Sequence, residues 1–570
     1  MSQRLRTWIR QGAFAAIACA ALGGCGGDKS NPQGYASDGG ILLVNGSSHG
    51  PAGGTGGGQG GVFVVPDGSP PRLPQEMKTE SDYQSPVATG EFVWTANPTS
   101  GRVAYIDAKA FSVQTVQAGD GPTYLAAVPN PSGTGETAIV LNVRSHDATL
   151  LRRDSSTGVP TTMQYPSTKD ANSWSVSTKG RWAIAWTDAT KVPNANPAQG
   201  FQDMAVLDLN PPPNTQALPP TILAAGYRPS QVVFSLDEMR AFAVTQDGIT
   251  VIDLSGSQPV ASQNFPLSAP VDLTAPGGSP SGMPDVSFTT DGAYALVRQS
   301  GVAAITLVSL KDGSPTRVDL QAAPTDLTVA PDGTFAVAVL RDLSSVAVLP
   351  LPRIASDPSS LTTAQIPGET IGRAIVAEDM TTKQTSILLF TTVVAVDHLT
   401  VLTLQPTPSF RTIALHAPVL AVFPTSDAQN AIVLHNVTPA PNSSVKGAYS
   451  IVPIAKPLPA RIVSVTAPPT AVALAPSGDR ALVAMSDNSA IYEVDLAIMP
   501  SLEVAPYPLA SPPTAVGIAA AAGMGFVSQN YTDGRITFID LASGADGGAA
   551  RTITGFELSA RVIQGDGAAP

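Results

Sequence analysis

The sequence predicts an all-β protein built from about ten copies of one strand-rich repeat. Apolar strands with alternating polarity are joined by short Asp-Gly or Ser-Gly turns, as in PTDLTVAPDGTFAVAVLRD from Pro324 and PTAVALAPSGDRALVAMSD from Pro469. A third strand then follows, with endings such as ITVIDL near Asp253 and ITFIDL near Asp540. No long segment combines helical spacing of apolar residues with helix caps, and proline recurs in every copy, so helices are not expected.

The composition of the 570-residue chain supports this prediction. Charged residues make up only 13%, whereas the chain contains 51 glycines and 52 prolines. Helical bundles and coiled coils are rich in charged residues and poor in these turn formers. Many short strands joined by tight turns agree with both features.

The repeat spacing of about 40–55 residues is typical of β-propeller blades. Alternation places Val, Leu and Ala on both faces of each sheet, and one sheet cannot bury two apolar faces alone. We therefore expect four-stranded antiparallel blades stacked in a closed ring over residues 89–570. Seven or eight blades with insertions, a division into two smaller propellers, or a row of separate sandwiches are alternatives.

The two ends of the repeat region suggest how the ring closes. The first copy begins at its second strand, Glu91 to Asn97, and the last copy is followed by a spare strand, Phe556 to Val562. We expect this C-terminal strand to become the innermost strand of the first blade. One irregular copy, Ile371 to Leu404, has no Asp-Gly turn.

These motifs resemble the YVTN-type β-propeller family over roughly residues 90–565. WTAN at Trp94–Asn97 followed by VAYID at Val103–Asp107 is similar to the second and third strands of that family, and APDG at Ala330–Gly333 is similar to its turn. The resemblance implies a propeller fold. Its motifs are structural and occur in proteins with unrelated functions, some of which are lactone-opening enzymes.

The N-terminus resembles a bacterial lipoprotein signal. Three arginines within the first ten residues precede an apolar run, Ala13 to Leu22, which is too short to span a bilayer comfortably. The run ends in Leu-Gly-Gly-Cys, a sequence similar to a lipobox, with Cys25 as the residue that would carry the lipid. The resemblance implies a signal peptide at 1–24 and a lipid anchor. An ordinary secretory signal is the alternative.

Between the lipid-bearing cysteine and the repeats, residues 25–88 are predicted to be a flexible tether rich in Gly, Pro and Ser. Two short apolar pieces, ILLV at 41–44 and VFVV at 62–65, are able to pair with or dock on the body. Gly26 after the cysteine favours the bacterial outer membrane, on either its periplasmic or its surface side.

Polar residues follow the second strand of most copies. Because successive strands reverse direction, these loops share one face of the disc with the connections between blades, and they form the predicted binding surface. The candidate binding residues are Asn97, Arg144, His146, Asp188, Arg298, Arg341, Asp342, His435, Asn436, Asp487 and Asn530. Polarity caused simply by exposure to water is the alternative explanation.

The sequence contains few motifs that indicate catalysis, metal binding or a cofactor. The sequence has no HExxH motif, no GxSxG motif and no P-loop, and both cysteines lie within the first 25 residues. We therefore predict no catalytic residue, no metal site and no cofactor. The net charge of −12 and the scattered basic residues argue against nucleic-acid binding.

The sequence therefore favours a non-catalytic binding or scaffolding module, anchored in the cell envelope through its N-terminal lipid. Its expected partner is a protein or a surface polymer. The alternative is a lactonase-like hydrolase, for which Arg144, His146, Arg341, Asp342 and His435 are the available groups. A role in envelope assembly is a third possibility that the sequence does not separate from the first.

Overall fold

The computed structural model describes Leu42–Leu43 and residues 84–556, except for 131–134, 155–157, 159, 197, 212–215, 268–284, 380–381, 406, 441 and 487–491. It confirms the predicted fold class. Ten four-stranded antiparallel sheets follow one another along the chain, each made of four consecutive strands in the order inner to outer. The protein is a ten-bladed β-propeller.

Within each blade the chain runs from the innermost strand outward. Blades 1 to 5 comprise Val87–Thr89, Phe92–Asn97, Arg102–Asp107 and Ser112–Gln117 (blade 1); Pro122–Ala127, Gly135–Asn142, Asp147–Asp154 and Pro160–Pro166 (blade 2); Ser173–Val176, Trp182–Trp186, Asp203–Asp208 and Thr221–Ala224 (blade 3); Gln231–Phe234, Arg240–Thr245, Gly248–Asp253 and Val260–Phe265 (blade 4); Asp285–Phe288, Tyr294–Arg298, Ala304–Ser309 and Pro315–Asp319 (blade 5).

Blades 6 to 10 comprise Asp326–Val329, Phe335–Leu340, Ser345–Pro350 and Thr362–Gln365 (blade 6); Arg373–Glu378, Thr385–Phe390, His398–Thr403 and Ser409–Ala414 (blade 7); Val419–Pro424, Asn430–His435, Gly447–Pro453 and Arg461–Val465 (blade 8); Pro469–Leu474, Arg480–Ser486, Tyr492–Ile498 and Glu503–Pro508 (blade 9); Pro513–Ala519, Met524–Gln529, Arg535–Asp540 and Arg551–Thr554 (blade 10).

Helix is confined to short connections in the described part of the chain. One four-residue α-helix, Arg353–Ser356, follows the third strand of blade 6. Four 3₁₀ turns accompany it, at Ala189–Lys191, Arg341–Leu343, Pro358–Ser360 and Ala520–Ala522. None of the helices in the described residues is long and apolar enough to cross a membrane.

The apolar core is divided among the interfaces between neighbouring blades. Ten buried clusters are found, and each joins the side chains of two adjacent sheets. One of them joins blade 10 to blade 1, where Phe526 and Phe538 pack with Val93 and Ile106. Stacking of this kind buries both apolar faces of every blade, as the alternating strands require.

The closing strand differs from the prediction. The innermost position of blade 1 is filled by Val87–Thr89, which pairs antiparallel with the second strand so that Val87 lies opposite Trp94. Residues 557–562 of the predicted closing strand lie outside the described residues. Blades 1 and 10 are therefore each built from consecutive strands, and the described chain closes the ring by packing between two complete sheets.

Asp-Gly turns set the hairpin between the first and second strands. Gly333 of blade 6 has a φ of 72° and Gly292 of blade 5 has a φ of 67°, the left-handed region that such turns need. The preceding aspartates accept backbone hydrogen bonds two residues on, for example Thr334 N to Asp332 Oδ1 at 3.0 Å. Blade 8 uses Ala428 at the same place, with a φ of 53°.

A piece of the predicted tether also contacts the propeller. Leu42–Leu43 adds as a fifth antiparallel strand to the inner edge of blade 9, with Leu42 opposite Val472 and Leu43 opposite Ala471. Of the two apolar pieces in this region, part of ILLV thus pairs with the body. VFVV lies outside the described residues.

Candidate functional site

Strand order divides the connections of the disc between two faces. Turns from the first to the second strand and from the third to the fourth lie on one side, which we call the turn face. Loops from the second to the third strand lie on the other side with the connections between blades, and we call this side the loop face. The predicted binding residues belong to the loop face, and Asp487 lies outside the described residues.

Three predicted residues end the second strand of their blade and are buried there. Asn97, Arg298 and His435 have exposed fractions of 5%, 9% and 3%. Asn97 Oδ1 accepts hydrogen bonds from the backbone N–H groups of the following turn, Thr99 at 3.0 Å and Ser100 at 3.2 Å. Polar residues at these strand ends thus form hydrogen bonds with nearby backbone and side-chain groups.

His435 has a hydrogen-bond partner at each of its two ring nitrogens. Its Nδ1 lies 3.2 Å from the carbonyl oxygen of Pro418, and its Nε2 lies 2.7 Å from Ser450 Oγ. Burial lowers the pKa of this imidazole, because the charged form would lose its hydration. His435 is therefore a neutral group inside blade 8 and does not open onto the loop face.

Other predicted residues are exposed but are separated around the ring. On blade 2, Arg144 Nε donates to Asp120 Oδ1 at 2.8 Å, and its guanidinium also donates to the Pro98 carbonyl. His146 is exposed, with a φ of 57° in the same loop. Asn436 is exposed on blade 8. Asn530 on blade 10 is half-buried, and its backbone N–H donates to the carbonyl of Pro512 at 2.7 Å.

Asp188 lies at a small cleft between blades 3 and 4. Its Oδ1 accepts from the backbone N–H of Thr190 at 2.9 Å and so caps the 3₁₀ turn Ala189–Lys191. The cleft has a cavity volume of about 180 Å³ and is also lined by Arg228 and Gln246. Arg228 donates to the backbone carbonyls of Asn196 and Gln199, so this arginine also holds a loop in place.

A concentration of charge forms on the loop face at blades 5 to 7. Its members come from the starts of three inner strands, from the end of one second strand and from the position after another, and we call them the charged cluster: Asp285, Arg298, Asp326, Arg341 and Arg373. Arg298 Nε donates to Asp285 Oδ2 at 3.1 Å, and its Nη1 donates to the Pro324 carbonyl at 3.3 Å. Arg298 thus links blade 5 to the connection that leads into blade 6.

Asp326 links blade 6 to blade 7 in turn. Its Oδ2 accepts a hydrogen bond from the backbone N–H of Ala374 at 2.8 Å. Burial raises the pKa of Asp326 to about 6, although the Ala374 N–H and the charge of Arg373 act in the opposite direction. Burial also raises the pKa of Asp285 and outweighs the attraction of Arg298. The two carboxyl groups therefore hold protons more readily than exposed ones do.

Arg341 and Arg373 are the cations of this cluster without a hydrogen-bonded partner among the described residues. Arg341 Nε is buried and has no hydrogen-bond partner among them. Its guanidinium lies against Gly372, where an added Cβ would stand 2.6 Å from Arg341 Nη2. Gly372 directly precedes Arg373, whose half-buried guanidinium has no hydrogen bond or salt bridge within the part of the chain that the structure describes.

The loops around these two arginines also present apolar side chains to solvent. Leu343, two residues after Arg341, is 39% exposed. Val393 and Val394, in the corresponding loop of blade 7, are 61% and 50% exposed. Val445 is exposed in the loop of blade 8. Apolar residues exposed side by side with charged groups are a feature of surfaces that bind partners.

A second charged group on blade 7 was not found from the sequence. Glu369 Oε2 lies 2.5 Å from His398 Nε2, and His398 Nδ1 lies 3.6 Å from Asp397 Oδ1. Thr412 Oγ1 donates to Glu369 Oε1 at 2.7 Å. These contacts join the connection between blades 6 and 7 to the third and fourth strands of blade 7.

The residues considered for a hydrolase do not converge. Arg144 and His146 lie on blade 2, Arg341 and Asp342 follow the second strand of blade 6, and His435 is buried in blade 8. A general base and an electrophile must lie within hydrogen-bonding reach of one substrate. Within the described ranges, no three His, Cys, Asp or Glu side chains lie together in a way that would hold a metal ion.

Among the three comparisons with known proteins, only the one with solved structures found similar proteins, and the similarity concerns the fold. No family model matches the sequence, and no curated protein matches it. The dihydro-heme d1 dehydrogenase NirN, solved in complex with DHE, aligns over 80% of this chain and 78% of its own, with 14% identity and a TM-score of 0.38.

Two further solved structures align over about half of this chain. Hydrazine synthase of Kuenenia stuttgartiensis covers 51% of this chain and 84% of its own, with 16% identity and a TM-score of 0.29. The Cps50 (Swd1) β-propeller domain of Myceliophteria thermophila covers 54% and 91%, with 12% identity and a TM-score of 0.32. At these values none of the three carries an argument about function, and the fold rests on the strand order described above.

Proposed function

We propose that this protein is a non-catalytic binding or scaffolding module that engages a partner through the loop face of blades 5 to 8. The observation that carries the proposal is Arg341, whose buried Nε has no hydrogen-bond partner among the described residues, on the same face as the exposed apolar residues Leu343 and Val393. A buried or half-buried charge without a counter-ion is costly, and an incoming ligand can supply the missing partner. The ligand is a protein or a surface polymer.

The rigid scaffold favours this function. Loops on a closed ring of packed blades keep their positions, so a partner meets a surface that is already organised. The proposed partner needs no cofactor. We further infer that the repeats are of the YVTN type, on the match of WTAN, VAYID and APDG to that pattern.

Recovery of the partner from native envelopes tests the proposal. Wild-type protein is expected to retain a partner that the double variant Arg341→Glu/Asp342→Lys loses, because reversal of both charges removes the guanidinium and leaves the net charge unchanged. The measurement is affinity capture followed by mass spectrometry. The matched control is Arg144→Glu/Asp120→Arg, which swaps an ion pair on blade 2 of the same face. A partner lost equally from both variants, or from neither, contradicts the proposed site.

We also propose that the protein is anchored in the cell envelope by a lipid on Cys25, with the outer membrane favoured. Cys25→Ser is expected to move most of the protein from the membrane fraction to the soluble fraction, because the thiol that carries the lipid is absent. Fractionation and labelling with radioactive palmitate measure this. Cys19→Ser is the control, since Cys19 falls within the proposed signal peptide. Unchanged labelling of Cys25→Ser would exclude the anchor.

A further inference from the structure

We propose that the tether passes through the central opening of the ring, so that the turn face is the side of the propeller nearer the membrane and the loop face points away from it. The opening is bordered by the innermost strands of the ten blades. The inference rests on the proposed lipid anchor at Cys25, and it adds the orientation of the binding surface. Its basis is the direction in which Leu42–Leu43 runs along blade 9.

The inner edge of blade 9 binds an extended segment of the tether. In a four-stranded blade, the free edge of the innermost strand has backbone N–H and C=O groups without a strand partner, and a further strand can supply the missing hydrogen bonds. In blade 9 the innermost strand is Pro469–Leu474, and Leu42–Leu43 pairs with it in antiparallel register. Among the described residues, blade 9 alone has such a fifth strand.

The antiparallel register gives the tether a direction through the ring. Strand Pro469–Leu474 begins on the loop face, where the connection from blade 8 arrives, and ends at the turn face. Leu42 lies opposite Val472, and the next residue of the tether lies opposite Ala471, one position nearer the loop face. The tether therefore enters the opening from the turn face and leaves it toward the loop face. Cys25 precedes the point of entry.

The other described end of the tether agrees with this direction. The backbone N–H of Gln84 donates to the carbonyl oxygen of Ala96 at 2.8 Å, and the Gln84 carbonyl oxygen accepts a hydrogen bond from Thr95 Oγ1 at 2.7 Å. Ala96 lies one residue before the loop-face end of the second strand of blade 1. The innermost strand, Val87–Thr89, then runs from the loop face to the turn face. The exit at blade 9 and the entry at blade 1 thus lie on the same face, and one crossing of the ring suffices.

The length of the chain before Leu42 restricts the orientation. Leu42 follows Cys25 by 17 residues, and a chain of that length spans at most about 60 Å when fully extended. Ten sheets about 10 Å apart, with strands of about six residues and their loops, give a disc with a radius and a thickness of roughly 30 Å each. A path from the turn face round the rim to a membrane at the loop face would use the whole length. Without the contact at blade 9, the 62 residues from Cys25 to Val87 would span about 200 Å and would allow either face to approach the membrane.

Engineered disulfides test the passage through the opening in the full-length protein. Residues opposite each other in antiparallel strands alternate between close and wide pairs, which differ in how well they suit a disulfide. Both pairs are therefore made: Leu42→Cys/Val472→Cys and Leu43→Cys/Ala471→Cys. We expect at least one of them to form the disulfide on mild oxidation, detected by mass spectrometry of the linked peptides. The matched control is Leu42→Cys/Val516→Cys, because Val516 takes the same place in the PTAV sequence of blade 10. Absence of both disulfides, or an equal yield in the control, overturns the inference.

Energy transfer to lipid headgroups measures the orientation of the lipidated protein in liposomes. A donor dye is attached to a cysteine placed at Met239 on the turn face or at Leu343 on the loop face, two positions of similar exposure. The acceptor is a dye on the lipid headgroups. We expect transfer from position 239 to be at least about twofold higher, because the two faces are separated by roughly 30 Å. Equal transfer from both positions, or higher transfer from position 343, overturns the inference.

Proline variants connect the orientation to the strand on blade 9. Leu42→Pro/Leu43→Pro removes two backbone donors from this strand and should abolish the difference in transfer. The matched control Phe63→Pro/Val64→Pro changes the second apolar piece of the tether and should preserve it. A difference that survives Leu42→Pro/Leu43→Pro contradicts the inference.

Flotation of the liposomes separates failure of the orientation from failure of the anchor. Wild-type protein that floats, while Cys25→Ser does not, shows that the anchor is in place, and the transfer values then decide the orientation alone. Wild-type protein that does not float overturns the anchor and this orientation together. The proposed partner binding is decided separately by the envelope capture.

Discussion

The urea midpoint of Asp495→Asn is expected to exceed that of the wild type at pH 8 and to equal it near pH 4. Asp495 lies on the third strand of blade 9, 3% exposed, and accepts a hydrogen bond from Tyr449 of blade 8 at 2.8 Å. Burial raises the pKa of Asp495 to about 7 from an ordinary 3.8. The side chain is therefore neutral in the folded protein over a pH range in which the unfolded chain ionises it.

The direction of the pH dependence follows from this difference. Because the folded-state pKa is the higher one, the contribution of Asp495 is fully present below about pH 4 and is lost as the pH rises through 7. A shift of this size corresponds to a loss on the order of 4 kcal/mol above pH 7. Asn cannot ionise, yet its Oδ1 still accepts the Tyr449 hydrogen bond, so the variant should escape this loss.

Urea unfolding at pH 4.5, 6 and 8 checks the prediction. Tyr449→Phe is the matched control, because it removes the hydroxyl that stabilises the ionised carboxylate and should steepen the loss of stability with pH. Part of the pH dependence should remain in Asp495→Asn, since burial also raises the pKa of Asp326. Midpoints of the wild type and Asp495→Asn that change in parallel with pH would contradict this expectation.

Phe538→Ala is expected to destabilise the protein by about 3–5 kcal/mol, through the cavity that it leaves at the ring closure. Phe538 is fully buried on the third strand of blade 10 and meets Phe111 of blade 1 edge to face, with ring centroids 5.7 Å apart. Because the described chain closes the ring by packing, this contact carries part of the connection between the first and last blades.

The matched control for ring closure is Phe410→Ala. Phe410 lies on the outer strand of blade 7 and is 37% exposed, so its removal should cost less than about 1 kcal/mol. Urea midpoints and slopes at one pH compare the two variants. Similar small losses for both would show that the interface between blades 10 and 1 is not packed as described.

The repeated motifs carried enough information to predict the fold class and the number of repeat units. Alternating strands, Asp-Gly turns and third strands ending in Asp recur because every blade has to bury two apolar faces against its neighbours. The innermost strand of blade 1 was missed because Val87–Thr89 has only three residues and, although Pro86 leads into it, is not followed by an Asp-Gly turn. Such a short strand is defined by its neighbours, which a local pattern does not reveal.

The candidate site was predicted only in part. Arg341 and Arg298 follow from their position at or just after the end of the second strand. The sequence does not distinguish the buried Arg298 from Arg341, whose Nε has no hydrogen-bond partner among the described residues. Arg373 was missed because it begins the irregular blade 7, where Ile371 stands at the position that Pro324 takes in blade 6. Glu369 and His398 were missed because Glu369 lies in the connection that leads into blade 7 and His398 lies on the third strand of that blade, and no local pattern indicates that they meet.

The surface used for binding is the central claim, and photo-crosslinking in intact cells tests it most directly. A photoreactive amino acid is placed at Leu343 on the loop face or at Met239 in a turn of the opposite face; these positions have similar exposed fractions of 39% and 43%. We predict a crosslinked partner from position 343, its loss when Arg341 and Arg373 are both changed to Gln, and no such product from position 239. A partner captured from position 239 alone, or equally from both, would contradict the claim.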